Sequence, residues 1–329
     1  MICFGILGAG RIGKVHARTI AAAAGARVAA IADAVPEAAS TLAREVGAVT
    51  ATVEDILADR GIDAVLIATP TPTHADLIEK AAVAGKAILC EKPVSLSVDR
   101  ISECLAVVEK HRTPLMIGFN RRFDPNFAAL EGRVRAGAIG EIEMVTVTSR
   151  DPSPPPASYV KDSGGIFRDM MIHDLDMARF VMGEEFVTVQ ALGAALVDPA
   201  IGRAGDADTA AVQMQTASGR IAVITNSRRA AYGYDQRIEV HGAKGMLRAG
   251  NVHASTVELA SAGGFVADPL LHFFTERYAA AYGAEVNAFI AALAAGTPMR
   301  PSGFDGLQAQ RLADAATESW RSGAPVRLG

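Results

Sequence analysis

The chain has 329 residues, half of them hydrophobic and 21% charged, with a net charge of −4 at pH 7. This length predicts about two domains, and the composition excludes a disordered or collagen-like protein. Because no global positive field exists, binding to nucleic acid or to an anionic membrane surface is not favoured, and we expect small-molecule partners.

Neither a membrane span nor a secretory leader is indicated. No run reaches the roughly 18 strongly apolar residues that a spanning helix needs, and the first residues enter a strand pattern directly. The three cysteines, Cys3, Cys90 and Cys104, lack the paired spacing of a zinc site. Their odd number is typical of a reducing compartment. We therefore predict a cytoplasmic protein without disulfides and without a metal.

The first third of the chain alternates short apolar runs with longer segments of helical period. Strands are predicted at 2–7, 27–33, 64–68, 87–90 and 115–118, and helices at 12–24, 36–46, 74–84 and 98–111. This alternation predicts an α/β Rossmann-type domain, with a doubly wound parallel sheet. The carboxyl ends of its strands share one edge, where ligands collect.

The pattern changes after about residue 120. Asp124 and Pro125 predict the start of a helix that runs to about 136. Beyond it we predict a strand at 142–149, a proline-rich loop at 151–156, one helix at 165–182, strands at 187–197, 210–216, 221–227, 236–241 and 246–248, and helices at 278–295 and 306–321.

Short connections between the later strands predict antiparallel neighbours. We therefore expect two domains, residues 1–120 and 121–329. The second is a C-terminal α+β domain built on a large, mostly antiparallel open sheet, and its last helices are free to pack back on the first domain.

A dinucleotide-binding fingerprint lies between the first strand and the first helix. It consists of Gly8, Gly10 and Gly13, with Arg11 and Ile12 between them, and Asp33 ends the second strand. The glycines permit a tight turn and a close approach to a pyrophosphate, and Asp33 is placed to bind a ribose. A carboxylate there repels a 2′-phosphate, so NAD is favoured over NADP. The alternative is a structural glycine turn with an ordinary surface aspartate.

Two further strand ends carry polar residues. Thr69 and Pro70 follow one strand, with His74 at the start of the next helix, and Glu91 and Lys92 follow the neighbouring strand. Such residues are often plain surface side chains. Their shared edge with the glycine loop favours a role at the ligand.

Asp169 and His173 lie four residues apart in the predicted helix 165–182, so we expect their side chains on one face. A carboxylate beside a histidine raises its basicity and fixes its orientation, as a general base requires. Two alternatives stay open: a capping aspartate with a core histidine, and a metal site, for which the remaining ligand spacing is missing.

These motifs together resemble one family. The fingerprint, Thr69-Pro70 with His74, Glu91-Lys92-Pro93, the segment 118–124 and the segment 165–176 are similar to the glucose-fructose oxidoreductase / inositol dehydrogenase / rhizopine-catabolism superfamily. The resemblance covers nearly the whole chain in order. The segments 149–152 and 227–237 resemble its bacterial inositol 2-dehydrogenase branch.

The resemblance implies a Lys–Asp–His catalytic set, which maps onto Lys92, Asp169 and His173. It also implies substrate contacts at Arg121, Asp151 and Tyr234, beside Asp169 and His173. Glu91 and Lys92 are implied to lie near the nicotinamide of bound NAD, and a homotetramer is the implied assembly.

The expected activity is the NAD-dependent oxidation of myo-inositol at C2 to scyllo-inosose. One alternative is a related dehydrogenase that acts on another inositol isomer or on an aldose. Another is a non-catalytic dinucleotide-sensing regulator, which has no need of the full Lys–Asp–His set.

Overall fold

The structure is a computed structural model that describes residues 1–329, apart from the side chains of residues 157, 161 and 162. The chain forms two compact units. Unit 1 comprises residues 1–123 and 280–310, and unit 2 comprises residues 124–279 and 311–329. Among the described residues, no helix has both the length and the apolar character needed to cross a membrane.

The first eleven strands and α-helices alternate strictly. They are β1 (Ile2–Leu7), α1 (Arg11–Ala22), β2 (Ala26–Ala32), α2 (Pro36–Val46), β3 (Val49–Thr50), α3 (Val53–Ala58), β4 (Ala64–Ile67), α4 (His74–Val83), β5 (Ala87–Glu91), α5 (Val98–Lys110) and β6 (Leu115–Gly118). Each predicted strand and helix of this region is present within two residues of its expected ends. The short β3 and α3 were not predicted.

The remaining elements are α6 (Pro125–Arg135), β7 (Ile142–Arg150), α7 (Ala157–Ser163), α8 (Ile172–Met182), β8 (Phe186–Ala194), α9 (Pro199–Arg203), β9 (Thr209–Thr216), β10 (Ile221–Ser227), β11 (Asp235–Gly242), β12 (Gly245–Ala249), β13 (Glu258–Ser261), β14 (Gly264–Ala267), α10 (Phe274–Arg277), α11 (Ala279–Ala295), α12 (Gly303–Ser322) and β15 (Val326–Arg327). The hairpin β13–β14, the short helices α7, α9 and α10, and β15 were not predicted.

Unit 1 is built on a parallel sheet of six strands in the order β3-β2-β1-β4-β5-β6. The strand order reverses between β1 and β4, and a ligand crevice in this kind of sheet lies at such a reversal. Apolar side chains of the strands and helices fill its core, where the ring of Phe4 lies 5.6 Å from that of Phe289 in α11. The glycine loop therefore leaves β1 at the expected crevice.

Unit 2 is built on a mixed sheet of seven strands in the order β12-β11-β7-β10-β9-β8-β15. Most pairs are antiparallel, as expected, but β10 pairs with β7 in parallel, with Ser227 opposite Arg150. The prediction of a mostly antiparallel sheet is confirmed, and β10 with β7 is its parallel pair. Because the two strands are parallel, their carboxyl ends lie at the same edge of the sheet.

The predicted helix 165–182 is not continuous. Ile166–Met170 forms a π-turn, in which the N–H of Met171 donates to the carbonyl of Ile166 at 2.8 Å, and α8 begins only at Ile172. Asp169 therefore lies in the π-turn and His173 in the first turn of α8. The expectation of one continuous helix was wrong, and the wider π-turn changes the angle between successive residues at Asp169.

Asp124 caps α6 as predicted, accepting the N–H groups of Asn126 and Phe127 at 3.1 and 3.2 Å. The same carboxylate is bound by the guanidinium of Arg277, which also lies over the rings of Phe127 and Tyr278. Asp124 and Arg277 are only 1% and 5% exposed, so a buried ion pair ties the start of α6 to α10.

Candidate active site

The glycine loop after β1 leaves room for a ligand at the first turn of α1. A Cβ on Gly8, whose φ is +106°, would lie 2.5 Å from the carbonyl oxygen of Ala68, and a Cβ on Gly13 would lie 2.0 Å from that of Gly8. Both positions therefore require glycine. At Gly10, in contrast, a Cβ meets no atom within 4 Å. A phosphate group fits this open position, where helix N–H groups and the helix dipole stabilise negative charge.

Asp33 is fixed beside this loop by backbone N–H groups. Its Oδ2 accepts the N–H of Ala9 at 2.6 Å, and its Oδ1 accepts the N–H of Val35 at 2.8 Å. A carboxylate has further lone pairs with which to accept ribose hydroxyls. Its negative charge is suited to NAD and unfavourable for a 2′-phosphate.

His74 connects two of the strand ends. Its Nε2 lies 2.7 Å from the carbonyl oxygen of Thr69, and its Nδ1 lies 2.8 Å from that of Pro93. The ring is 2% exposed. His74 therefore acts on the ligand edge through the backbone, by tying the loop that contains Thr69 and Pro70 to the loop that follows β5.

Glu91 turns its carboxylate toward helix α1, where Oε1 lies 2.6 Å from Nε2 of His16. Its Oε2 accepts the N–H of Lys92 at 3.3 Å. Lys92 is half-buried and precedes a cis peptide bond to Pro93. The carboxylate of Glu91 therefore fixes the backbone from which the lysine side chain extends.

A second acid lies close to this pair. Glu285 in α11 is completely buried, and neither of its carboxylate oxygens has a hydrogen-bond partner among the described side chains and backbone groups. Burial raises the pKa of Glu285 well above its usual range, and the negative charge of Glu91 raises it further. We refer to His16, Glu91 and Glu285 as the unit 1 acid cluster.

One edge of the seven-stranded sheet collects the polar residues of unit 2. Asp151 directly follows β7 and donates its N–H to the carbonyl of Ser227 at 2.9 Å, and Arg228 directly follows β10. Tyr234 precedes β11, which starts opposite the end of β7. The ring of Tyr234 packs edge-on against Tyr278, with 6.0 Å between the ring centroids.

Asp169 binds a hydroxyl and a guanidinium at this edge. Its Oδ1 accepts the hydroxyl of Tyr159 at 3.1 Å, and its Oδ2 accepts Nη2 of Arg228 at 3.3 Å. Nη1 of Arg228 lies 3.8 Å from Oδ2 of Asp151. We refer to Asp151, Asp169 and Arg228, together with the nearby Asp206, as the unit 2 acid cluster.

The helix that contains His173 is fixed to the sheet by its neighbour in sequence. The amide of Asn226 in β10 donates to Oδ2 of Asp174 at 2.8 Å and to the carbonyl of Ser149 at 3.2 Å. Asp174 is fully buried, whereas His173 is only partly buried. The buried contact therefore sets where the first turn of α8 presents the imidazole of His173.

Arg121 is 5% exposed and lies in the short 3-10 turn that follows β6, Asn120–Phe123. It belongs to unit 1, as Lys92 does, whereas Asp151, Asp169, His173 and Tyr234 belong to unit 2. Among the described residues, no group of three or more His, Cys, Asp or Glu side chains is arranged so that it could hold a metal ion.

Two family descriptions match the chain. "Oxidoreductase family, NAD-binding Rossmann fold" matches residues 2–119, and "GFO/IDH/MocA C-terminal domain" matches residues 127–248. The chain belongs to the GFO/IDH/MocA oxidoreductase family. The resemblance stated from the motifs, the fold class and the NAD cofactor are thereby confirmed.

Members of this family that resemble the chain include named inositol dehydrogenases. An inositol 2-dehydrogenase of Rhizobium meliloti (strain 1021) is 57% identical over 96% of this chain and 96% of its own length. The crystal structure of a myo-inositol dehydrogenase from Corynebacterium glutamicum ATCC 13032 superposes with a TM-score of 0.96 at 42% identity, over 100% of this chain and 99% of that one. A scyllo-inositol dehydrogenase from Lactobacillus casei, with bound NAD(H) and scyllo-inositol, has a TM-score of 0.93 at 33% identity over 99% of both chains.

Several residues of the site were not predicted from the sequence. Tyr159 and Arg228 contact Asp169, and His16 and Glu285 surround Glu91. Arg228 follows a strand end, which is a usable signal, but its approach to Asp151 depends on the parallel pairing of β10 with β7. The separation of 75 residues between His16 and Glu91 leaves no local signal.

Proposed function

We propose that this chain is an inositol 2-dehydrogenase, which oxidises myo-inositol at C2 to scyllo-inosose and reduces NAD. The observation that carries the proposal is the convergence of Asp151, Asp169 and Arg228 at one edge of a sheet, beside the buried Tyr234. A ring bearing several hydroxyls requires several polar groups directed at one place. The names of the inositol dehydrogenase relatives support the same substrate class.

Unit 1 would hold the cofactor. Gly8, Gly10 and Gly13, with Arg11 and Ile12, would hold the pyrophosphate, and Asp33 would bind the adenosine ribose. Thr69, Pro70, Glu91 and Lys92 would hold the rest of the dinucleotide, with His74 fixing the loop that contains Thr69 and Pro70. NAD, when bound, supplies the acceptor for the hydride that leaves C2 of the substrate.

The protein's own groups handle the proton and the charge. His173 takes the proton of the C2 hydroxyl as general base, while the C–H bond at C2 breaks and the carbonyl forms. Lys92 donates a hydrogen bond to the reacting oxygen and stabilises its developing negative charge. Asp169 orients His173 and balances the positive charge that it gains. Arg121, Asp151 and Tyr234 bind the other hydroxyls of the ring, and Asp169 and His173 also contact the substrate.

The proposed assembly is a cytoplasmic homotetramer without nucleic-acid or membrane partners. One face of the seven-stranded sheet is buried, whereas the other exposes apolar side chains, which include Met144, Leu192 and Ile221. Exposed apolar surface on a sheet supports burial against another copy of the chain. Light scattering coupled to size-exclusion chromatography measures the mass of the assembly and tests the tetramer.

The proposed cytoplasmic location is supported by the cysteines. Cys3, Cys90 and Cys104 are free thiols, which supports a reducing compartment.

The decisive experiment follows the absorbance of NADH while the purified enzyme is given a panel of polyols. The panel contains myo-inositol, scyllo-inositol, other inositol isomers and aldoses, each with NAD and with NADP. The proposal expects the highest kcat/KM for myo-inositol with NAD. A higher kcat/KM for another isomer or for an aldose would identify that compound, and not myo-inositol, as the substrate. Binding of NAD without turnover of any polyol would support a sensing regulator.

A further inference from the structure

Arg228 lies at the edge of the seven-stranded sheet, and no step described so far uses its charge. Its N–H donates to the carbonyl of Asp208 at 2.8 Å, which fixes the backbone directly after β10. Its side chain is only 3% exposed. A guanidinium with so little contact with water requires opposite charge nearby.

The opposite charge comes from more than one acid. The guanidinium contacts Oδ2 of Asp169 at 3.3 Å through Nη2 and approaches Oδ2 of Asp151 at 3.8 Å through Nη1. Asp206 interacts with it electrostatically, and burial raises the pKa of Asp206 while the charge of Arg228 lowers it. The positive charge of Arg228 therefore offsets the mutual repulsion of Asp151, Asp169 and Asp206.

The two contacted acids are those that the proposed function gives to the substrate site. An ionised carboxylate only accepts hydrogen bonds, whereas a protonated one also donates. A site that accepts the hydroxyl hydrogens of a polyol therefore requires Asp151 and Asp169 to stay ionised and at a fixed separation. The guanidinium has a rigid planar arrangement of donors, which can fix such a separation.

We infer that Arg228 is a positioning residue, which holds Asp151 and Asp169 ionised and correctly spaced to accept hydroxyls of a cyclic polyol. This inference rests on the proposed function, since that proposal assigns both carboxylates to the substrate. Arg228 touches the carboxylates and acts on the substrate through them.

The test replaces Arg228 by Met and by Lys, and compares both with a matched control. Arg220 directly precedes β10, at the other end of the strand that Arg228 follows, and pairs with Glu141 at 2.7 Å. Arg220→Met therefore removes an ion-paired arginine from the same strand without touching Asp151 or Asp169. The measurements are kcat and KM for myo-inositol, the dependence of kcat/KM on pH, and the Kd of NAD.

For Arg228→Met we expect kcat/KM to fall by about 10- to 100-fold, the range that loss of a charge-assisted hydrogen bond produces. The acid limb of the pH profile should move to higher pH, because a carboxylate without its cation binds a proton more readily. Arg228→Lys should restore part of both changes, and the Kd of NAD should not change. Arg220→Met should resemble the parent enzyme. An unmoved acid limb in Arg228→Met overturns the inference.

A measurement without substrate separates this inference from the proposed function. Infrared difference spectra of enzyme labelled with [13C]aspartate record the carboxylate stretching bands, and Asp169→Asn identifies the band of Asp169. The inference expects this band to shift in frequency in Arg228→Met, and by less in Arg228→Lys, because the carboxylate loses or changes its guanidinium donor. An unchanged band overturns it, whereas inactivity of the parent toward every polyol overturns only the proposed function.

Discussion

Each of the two units contains a cluster of acidic side chains, and the two clusters differ in how the negative charge of the buried acids is offset. In unit 1, Glu91 and Glu285 lie near each other with the histidine His16 as their neighbour. In unit 2, Asp151 and Asp169 lie around the guanidinium of Arg228. In the unit 1 acid cluster, burial raises the pKa of Glu285 and so favours its neutral form, whereas the unit 2 acid cluster is balanced by a permanent cation.

The difference decides what each cluster can do. A carboxyl group that keeps its proton in an apolar setting costs less to bury than an ionised one, but it is a weaker acceptor for an incoming hydroxyl. A carboxylate held ionised by an arginine is a strong acceptor. We therefore expect the unit 1 acid cluster to serve the backbone beside Lys92, and the unit 2 acid cluster to serve the substrate.

Replacing one histidine in each unit is the strongest test of this division. We expect His173→Ala to lower kcat by about two to four orders of magnitude, as for loss of a general base, with little change in the Kd of NAD. His16→Ala removes the partner of Glu91, so we expect it mainly to lower thermal stability. The measurements are steady-state kinetics and thermal unfolding of both variants. If His173→Ala keeps near-parental turnover, its role as general base is wrong.

Arg277→Met sharpens the comparison, because it creates in unit 2 a buried carboxylate without a cation. The carboxylate of Asp124 would lose the guanidinium that balances its negative charge, at a position almost completely shielded from water. Breaking such a pair costs about 3–5 kcal/mol, so we expect the free energy of unfolding in urea to fall by that order. The double variant with Asp124→Asn should recover part of the loss. A loss below about 1 kcal/mol would show that Asp124 tolerates isolation, as Glu285 does.

Glu285→Gln tests whether Glu285 keeps its proton in the folded protein to a higher pH than an ordinary glutamate does. Because the pKa of Glu285 is raised on folding, the folded protein holds a proton that the unfolded chain releases. The associated stability is fully present below the ordinary pKa of a glutamate and is lost as the pH rises toward the raised pKa. Glutamine releases no proton, so the variant should be more stable than the parent by about 1–3 kcal/mol at mildly alkaline pH.

The advantage of Glu285→Gln should disappear at a pH below the ordinary glutamate pKa. Glu109 in α5 is an exposed glutamate of the same unit, so Glu109→Gln is the matched control and should leave the pH dependence of unfolding unchanged. Equal slopes of stability against pH in Glu285→Gln and in the parent would contradict the retained proton.

A third way of stabilising a carboxylate is seen at Asp33, which accepts two backbone N–H groups. We expect Asp33→Ala to weaken NAD binding by about tenfold and to relax the discrimination against NADP, because the ribose acceptor and the repelling charge are both lost. Titration of both cofactors by fluorescence measures the two changes. An unchanged preference would contradict the ribose role of Asp33.

The sequence predicted those parts of the site that depend on local pattern. The glycine loop, Asp33 and Glu91-Lys92 follow strands that periodicity locates, so their common edge could be inferred before any contact was known. Asp124 before Pro125 is likewise a local signal for a helix start, and the structure confirms it.

The contacts that the sequence could not predict depend on strand direction and on distance along the chain. Arg228 meets Asp151 because β10 runs parallel to β7, and nothing local in either strand fixes that direction. His16 and Glu91 are 75 residues apart, and Glu285 joins them from α11, near the other end of the chain. Only the folded sheet and the helices packed on it bring such groups together.

The π-turn at Ile166–Met170 has a consequence for how the chain can vary in length. Its closing bond, from Met171 to Ile166, encloses one residue more than the bond of an α-helix. A chain shorter by one residue here could close a regular α-helical turn and still keep every motif residue. Since each residue of an α-helix adds about 100° of rotation, such a deletion would rotate Asp169 about the helix axis relative to His173. The residue count between Gly165 and His173 is thus as much a part of the site as the residues themselves.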